Sequence, residues 1–212
     1  MDKRGEKRHT MKPRLIIQQK LTAFVNKYAV YNVTEAGAAS ELVALAQQKR
    51  FALKEKVLFY TDEKRDKLAF TFRAEKVMDV HGRYFVEDAR GSLVGMFKKE
   101  FMSSLVSSTW KILDANGTEK YLVKESNLGL ALLRRFGGEL PVIGGLIELV
   151  VLFFKYHFVF IDIATDEVVG TYTKTTLFRD HYLLEATDGL WDSIDWRVLA
   201  AMGVGLDALQ SR

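Results

Sequence analysis

The stretch Trp191–Gln210 reads WDSIDWRVLAAMGVGLDALQ, and between Val198 and Leu209 it carries one charged side chain, Asp207. A helix that is apolar nearly all round must be enclosed by other parts of the protein. Because the sequence upstream reads mainly as strands, we expect a sheet curled around this helix. About 12 residues rise only about 18 Å as a helix, which is too short to cross a bilayer. The segment is therefore predicted to form the core of a barrel.

The composition fits one globular domain of mainly β structure. The chain has 212 residues, of which 48% are hydrophobic, 12% aromatic and 27% charged. This length lies within the range of single-domain β-barrels, and the composition excludes disorder of the whole chain. With no cysteine, the chain has no disulfide, thiol nucleophile or thiolate metal site. Absence of cysteine also fits a reducing cytosol.

The positive charge is concentrated at the N-terminus. Residues 1–14 hold six basic side chains against Asp2 and Glu6, which equals the net charge of +4 of the whole chain. The remaining residues, 15–212, are therefore neutral overall. We expect 1–14 to be a basic disordered tail, with Met11 as a second possible start, and 15–212 to be the barrel domain. Nucleic acid is an unlikely partner because phosphate contacts need clustered Lys and Arg.

Strand patterns and turn residues divide the first half of the chain. Leu68, Phe70 and Phe72 alternate with smaller or polar residues, a period of two that places them on one face of a strand. Glu41–Arg50 could form a helix by propensity, but its position between strands favours a strand. Turns are predicted at residues 62–66, 89–91 and 114–117, the last containing Asn-Gly, a strong hairpin signal.

Two segments in the middle of the chain have a different character. Residues 127–136 follow a possible N-cap and end at two glycines, which predicts one further helix there. Leu140–Phe154 is a nearly continuous apolar run of 15 residues, interrupted by Glu148. It is too short to span a bilayer. The run is either a buried core element or an exposed apolar segment that contacts a membrane or a partner.

A hairpin pattern occurs twice. Phe85-Val86-Glu87 followed by Val94–Lys99 aligns without a gap on Phe160-Ile161-Asp162 followed by Val169–Lys174, at an offset of 75 residues. We interpret this as a duplicated hairpin. Alternation then places one set of side chains on the inner face, where each glycine leaves room for the apolar helix and its own Gly203 and Gly205. That set comprises Leu93, Gly95, Phe97, Lys99, Val168, Gly170, Tyr172 and Lys174.

These features together resemble the LURP-one-related proteins, which share the tubby C-terminal-like fold with the phospholipid scramblases. The resemblance rests on the hairpin Tyr84–Lys99, on Ser108-Thr109-Trp110, on Tyr156–Asp162, on Val169–Lys174 and on the terminal helix. It implies a closed antiparallel barrel of about twelve strands around a central hydrophobic C-terminal helix. Tubby domains are associated with phosphoinositide binding through basic side chains. Scrambling itself is not expected, because the palmitoylated cysteine segment and a calcium-binding loop of recognisable spacing are missing.

No catalytic arrangement is recognisable in the sequence. The histidines His9, His81, His157 and His181 stand apart, and neither a nucleophile elbow nor a phosphate-binding loop is present. We therefore predict no enzyme activity, no cofactor and no metal site. Basic side chains that could hold an anionic ligand are Lys98, Lys99, Lys174 and Arg179, with the alternative that each is a solvated charge at a strand end.

The sequence thus favours a non-enzymatic binding module that recognises an anionic lipid or an amphipathic ligand. We expect it to be cytoplasmic and to act at the inner membrane face as a peripheral protein. The alternative is a protein-interaction or scaffold module that forms a homodimer or docks a partner through Leu140–Phe154.

Overall fold

The computed structural model describes residues 11–21, 25–49, 56–75, 82–100, 109–125, 157–175 and 181–210. These residues form twelve strands followed by two helices. The strands are β1 (Lys12–Leu21), β2 (Val25–Val33), β3 (Ala39–Lys49), β4 (Lys56–Tyr60), β5 (Leu68–Ala74), β6 (Arg83–Asp88), β7 (Leu93–Glu100), β8 (Thr109–Leu113), β9 (Glu119–Glu125), β10 (His157–Asp162), β11 (Val168–Lys174) and β12 (His181–Ala186). The helices are α1 (Asp188–Ser193) and α2 (Trp196–Gln210).

The twelve strands form a closed antiparallel barrel in which chain neighbours are also sheet neighbours, and β12 closes the ring by pairing with β1. The predicted fold class is therefore confirmed. At one end of the barrel, which we call the turn end, short turns connect β2 to β3, β4 to β5, β6 to β7, β8 to β9 and β10 to β11. The strands at the opposite end, the loop end, lead into residues 22–24, 50–55, 76–81, 101–108, 126–156 and 176–180, which are outside the described residues.

Alternation along the strands produces the core. In β1, Leu15 and Ile17 are buried, and in β2 Tyr28 and Val30 are buried, while the residues between them are partly exposed. The segment Glu41–Arg50 lies largely in strand β3, as the strand interpretation predicted. Its helix-forming composition is overridden by pairing with β2 over most of its length.

Helix α2 lies inside the barrel, as its apolar surface predicts. The side chains of Val198, Leu199, Met202, Val204 and Leu206 are all at most 2% exposed. Its neighbours include β1 and β7, which stand opposite each other in the ring of twelve strands. The helix therefore fills the interior from wall to wall.

The boundary predicted between tail and domain is wrong by three residues. Strand β1 begins at Lys12, which pairs with Ala186 at the end of β12. Lys12 and Arg14 also form ion pairs with Asp188 of α1, and the Arg14 guanidinium lies 5.4 Å from the Trp191 ring centroid. Strand pairing of Lys12 and Pro13 and the ion pair of Arg14 thus hold residues 12–14 in the fold. The rest of the predicted tail, 1–10, and the helix predicted at 127–136 lie outside the described residues.

Bulges correct the predicted inner face of the repeated hairpin. In the β6–β7 ladder the register passes from Gly95 to Leu93, and in the β10–β11 ladder it passes from Gly170 to Val168. One residue of β7 and one of β11 are therefore unmatched in these ladders. The extra residues are Val94, which is partly buried, and Val169, which is buried. As a result Leu93 and Val168 turn outward and are 37% and 46% exposed.

The predicted partnership between strand glycines and the helix holds at one of the two positions. A Cβ on Gly95 would lie 2.7 Å from Val198 Cγ2 of α2. A Cβ on Gly170 would instead meet Phe160 and Leu190 of α1, besides the Glu185 carbonyl. The helix also approaches the wall closely at Gly203, where a Cβ would lie 2.5 Å from Ile17 Cδ1.

Candidate functional site

Lys98 belongs to an ion-pair network on the outer wall. Its Nζ lies 2.6 Å from a Glu119 carboxylate oxygen and 3.3 Å from one of Glu100. Lys111, the cross-strand partner of Lys98, contacts the same two carboxylates at 2.7 and 3.4 Å. The network contains two cations and two anions, so its charges balance. Lys98 therefore adds no net positive charge to this face.

The network perturbs its own ionisation. Hydrogen bonds from Lys111 and then Lys98 lower the pKa of Glu119 below its ordinary value. The hydrogen bond to Glu119 raises the pKa of Lys111. Both shifts favour the charged forms, which is the behaviour of a structural ion-pair network on a partly exposed surface.

Lys99 lies on the opposite face of the same strand. Lys99 lies on the same face of β7 as Phe97, which is fully buried. It pairs with Trp110, which is 1% exposed. The Lys99 Nζ lies 5.7 Å from the Trp110 ring centroid, within the range of a cation–π contact. Alternation along β7 therefore separates two neighbouring lysines that the sequence grouped together.

Lys174 occupies the inner-face register of β11, two residues beyond the buried Tyr172. Its cross-strand neighbour is Tyr182, whose ring stacks on Tyr172 with centroids 4.9 Å apart. Strands β8, β9 and β10 stand between Lys174 and Lys99 in the ring. The two lysines thus line the same end of the barrel at different points.

Further polar side chains continue from Lys174 around the loop end. Gln19 lies on the same face of β1 as the buried Ile17. Its Nε2 donates a hydrogen bond of 3.1 Å to the hydroxyl of the buried Tyr28. Asn26 lies two residues from Tyr28 on the same face of β2. We call the inward-facing polar set at the loop end the inner rim, which comprises Gln19, Asn26, Tyr28, Lys99, Lys174 and Tyr182.

Several polar atoms near this end are buried without a hydrogen-bond partner. They are Gln19 Oε1, Asn26 Oδ1 and the indole Nε1 of Trp110. Buried polar atoms are normally paired with protein, water or ligand. The amide oxygens of Gln19 and Asn26 thus retain unused capacity to accept hydrogen bonds. Glu125 occupies the inner-face register of β9 and supplies a carboxylate at the same end.

Other predicted features lie beyond the described ranges. Arg179 and the apolar segment 140–154 are outside the described residues, so their predicted roles stay predictions. In the described ranges, no group of three or more His, Asp or Glu side chains could hold a metal ion. No helix in this part of the chain is long and apolar enough to cross a bilayer.

No family model matches the chain, and no curated protein matches it. The resemblance drawn from the sequence motifs therefore stays a prediction, while the barrel itself rests on the structure.

Sequence reasoning missed the uncharged residues of the inner rim, which are Tyr28, Tyr182 and the two amides Gln19 and Asn26. Gln19 follows Leu15 and Ile17 at a spacing of two, and Asn26 precedes Tyr28 at the same spacing. Extending the apolar alternation by one step would have placed both amides on the inner face. A search limited to charged side chains overlooked them.

Proposed function

We propose that this protein is a non-enzymatic binding module that recognises the anionic head of an amphipathic ligand through the inner rim. The ligand class that fits best is an anionic lipid, which the module would meet as a peripheral protein at the inner membrane face. The sequence resemblance to tubby-like domains supports the same class of ligand.

The observation that carries this proposal is the change from apolar to polar side chains along the inner face of the barrel. Towards the turn end the inner face is apolar, with Val30, Phe70 and Phe160 all at most 1% exposed. At the loop end the lining includes Lys99, Lys174 and the amides of Gln19 and Asn26. A rim that carries basic and amide side chains can hold the anionic head of an amphipathic molecule at this end of the barrel.

Vesicle flotation with matched lysine variants tests the proposal. The probes are phosphatidylcholine vesicles with and without phosphatidylserine. We expect the wild type to float only with the anionic vesicles and to lose this binding as salt is raised. Lys99→Gln and Lys174→Gln should each weaken binding about fivefold, because a basic side chain near an anionic surface is worth about 1 kcal/mol.

Lys98→Gln is the matched control, since it removes the same charge from the adjacent residue on the outer wall. It should leave flotation unchanged, and thermal melts of all three variants should show that they fold. Equal binding to both kinds of vesicle, or equal losses for the Lys98 and Lys99 variants, would refute the proposal. A stable dimer that dissociates on Val150→Asp would instead favour the scaffold function.

A further inference from the structure

The wall of the barrel has one short ladder. Strands β3 and β4 pair at two positions, Leu45 with Tyr60 and Ala46 with Phe59. Each of the other eleven ladders joins between five and eight residue pairs within the described ranges. Towards the loop end, residues 47–49 of β3 and 56–58 of β4 are strand residues that do not pair with each other.

Each strand at this junction is held better by its other neighbour. Strand β3 pairs with β2 from Ala39 to Lys49. Strand β4 pairs with β5 along its whole length, and the rings of Phe59 and Phe70 stack with centroids 4.1 Å apart. The two sides of the junction therefore belong to separately stabilised parts of the wall.

Side-chain contact across the junction is weak. On the inner face β3 offers Ala44 and Ala46, and small side chains contribute little cross-strand packing. On the outer face, Arg65 Nη1 donates a hydrogen bond of 2.7 Å to Gln47 Oε1 in an exposed position. Arg65 itself sits in the β4–β5 turn at φ 60°, a conformation that non-glycine residues adopt rarely.

We infer that the barrel wall opens locally between β3 and β4. The loop-end half of the junction is already unpaired, so complete separation of the two strands breaks only two residue pairs. Local opening starts where pairing and packing are weakest.

Hydrogen exchange of the whole chain tests the opening without any ligand. Amides of 56–58 in β4 should exchange roughly tenfold or more faster than those of 84–86 in β6, which has a full ladder on each side. Because the chain has no cysteine, the pair Leu45→Cys and Tyr60→Cys can form a single defined disulfide across the junction. Oxidation should slow exchange in 56–58, and reduction should restore it. Equal exchange in the two strands would overturn the inference.

The matched control is Gln18→Cys with Ala29→Cys, which bridges the long β1–β2 ladder. Its oxidation should leave exchange in 56–58 unchanged.

Exchange in 56–58 that stays as fast after oxidation would show that separation of β3 from β4 is not what exposes these amides.

Discussion

Gly203 lies at a close approach between the helix and the wall. An added Cβ would lie 2.5 Å from Ile17 Cδ1 and 3.0 Å from the Tyr172 hydroxyl. A glycine inside a helix costs about 1 kcal/mol relative to alanine. That cost is offset here because the absence of a side chain lets α2 approach β1 and β11.

We therefore expect Gly203→Ala to destabilise the protein by about 1–3 kcal/mol through overpacking, even though alanine favours the helix. The measurement is urea denaturation. The matched control is Gly189→Ala in α1, where the nearest atom to a new Cβ is Thr187 Oγ1 at 4.0 Å. The control should be neutral or slightly stabilising. A Gly203→Ala variant as stable as the wild type would contradict the packing argument.

Asp195 is the capping residue of α2. Its Oδ1 accepts hydrogen bonds of 2.9 Å from the backbone N–H and the Nε of Arg197, and its Oδ2 lies 2.6 Å from Arg197 Nη2. Burial acts to raise the pKa of Asp195, but the hydrogen bonds from Arg197 outweigh it and the pKa lies below its ordinary value. The folded state thus favours the charged carboxylate.

This lowered pKa predicts a pH dependence. Stability from the Asp195 carboxylate is fully present above the ordinary Asp pKa of about 3.9 and is lost as the pH falls through the lower folded-state pKa. Asp195→Asn, which can still cap the helix, should cost about 1–2 kcal/mol at neutral pH. The free energies of unfolding of variant and wild type should converge below pH 4. A gap independent of pH would show that the charge is not the cause.

At the scale of elements, one hairpin design recurs around the turn end. The turns 88–92 and 114–118 share the sequence Asp-Ala-x-Gly-Ser/Thr. In each, the aspartate Oδ1 accepts two backbone N–H groups, and the glycine has φ above 80°. Each of these turns is followed by a bulge in the second strand. Short-range sequence chemistry is sufficient to specify such turns.

The structure also refines the duplicated hairpin. Gly95 pairs with Val86, and Gly170 pairs with Phe160, so the strands before the turn correspond at an offset of 74. After the turn the offset is 75, because the turn after Asp162 is one residue longer than the turn after Asp88. A gapless alignment therefore misplaced the first strand by one residue, which reverses its inner and outer faces.

Helix α2 should be indispensable for folding. Burial of a large apolar side chain is worth about 1.5–3 kcal/mol, and five such side chains of α2 are buried in the barrel. We expect a chain that ends at Asp188 to show no cooperative thermal transition and no near-ultraviolet dichroism. A chain that starts at Met11, which retains β1, should behave like the wild type. A folded monomer ending at Asp188 would contradict the central role of the helix.

At the scale of the whole molecule, ring closure decides which residues share a surface. Alternation along β7 places Lys98 in an outer network and Lys99 on the inner rim. Gln19 and Tyr28 meet because β1 and β2 pair, and Lys174 lies near Tyr182 because β11 and β12 pair. The candidate site is thus a property of strand register around the barrel rather than of any single motif.

Much of the architecture could be predicted because its causes are local. Apolar residues on all sides of the terminal helix demand enclosure, spacing of two along the strands separates inside from outside, and aspartate-glycine turns connect neighbours. Those features act within a few residues, so the sequence displays them directly. Their sum favours a barrel around a helix, and the structure confirms it.

The sequence by itself determined that a buried helix and many antiparallel strands would form one domain. Only the tertiary structure decided that Gly203 faces Ile17, that bulges turn Leu93 and Val168 outward, and that the β3–β4 ladder is short. The physical reason is that side-chain facing and strand register depend on contacts between residues far apart in the chain. Closure of twelve strands around one helix sets all these contacts together.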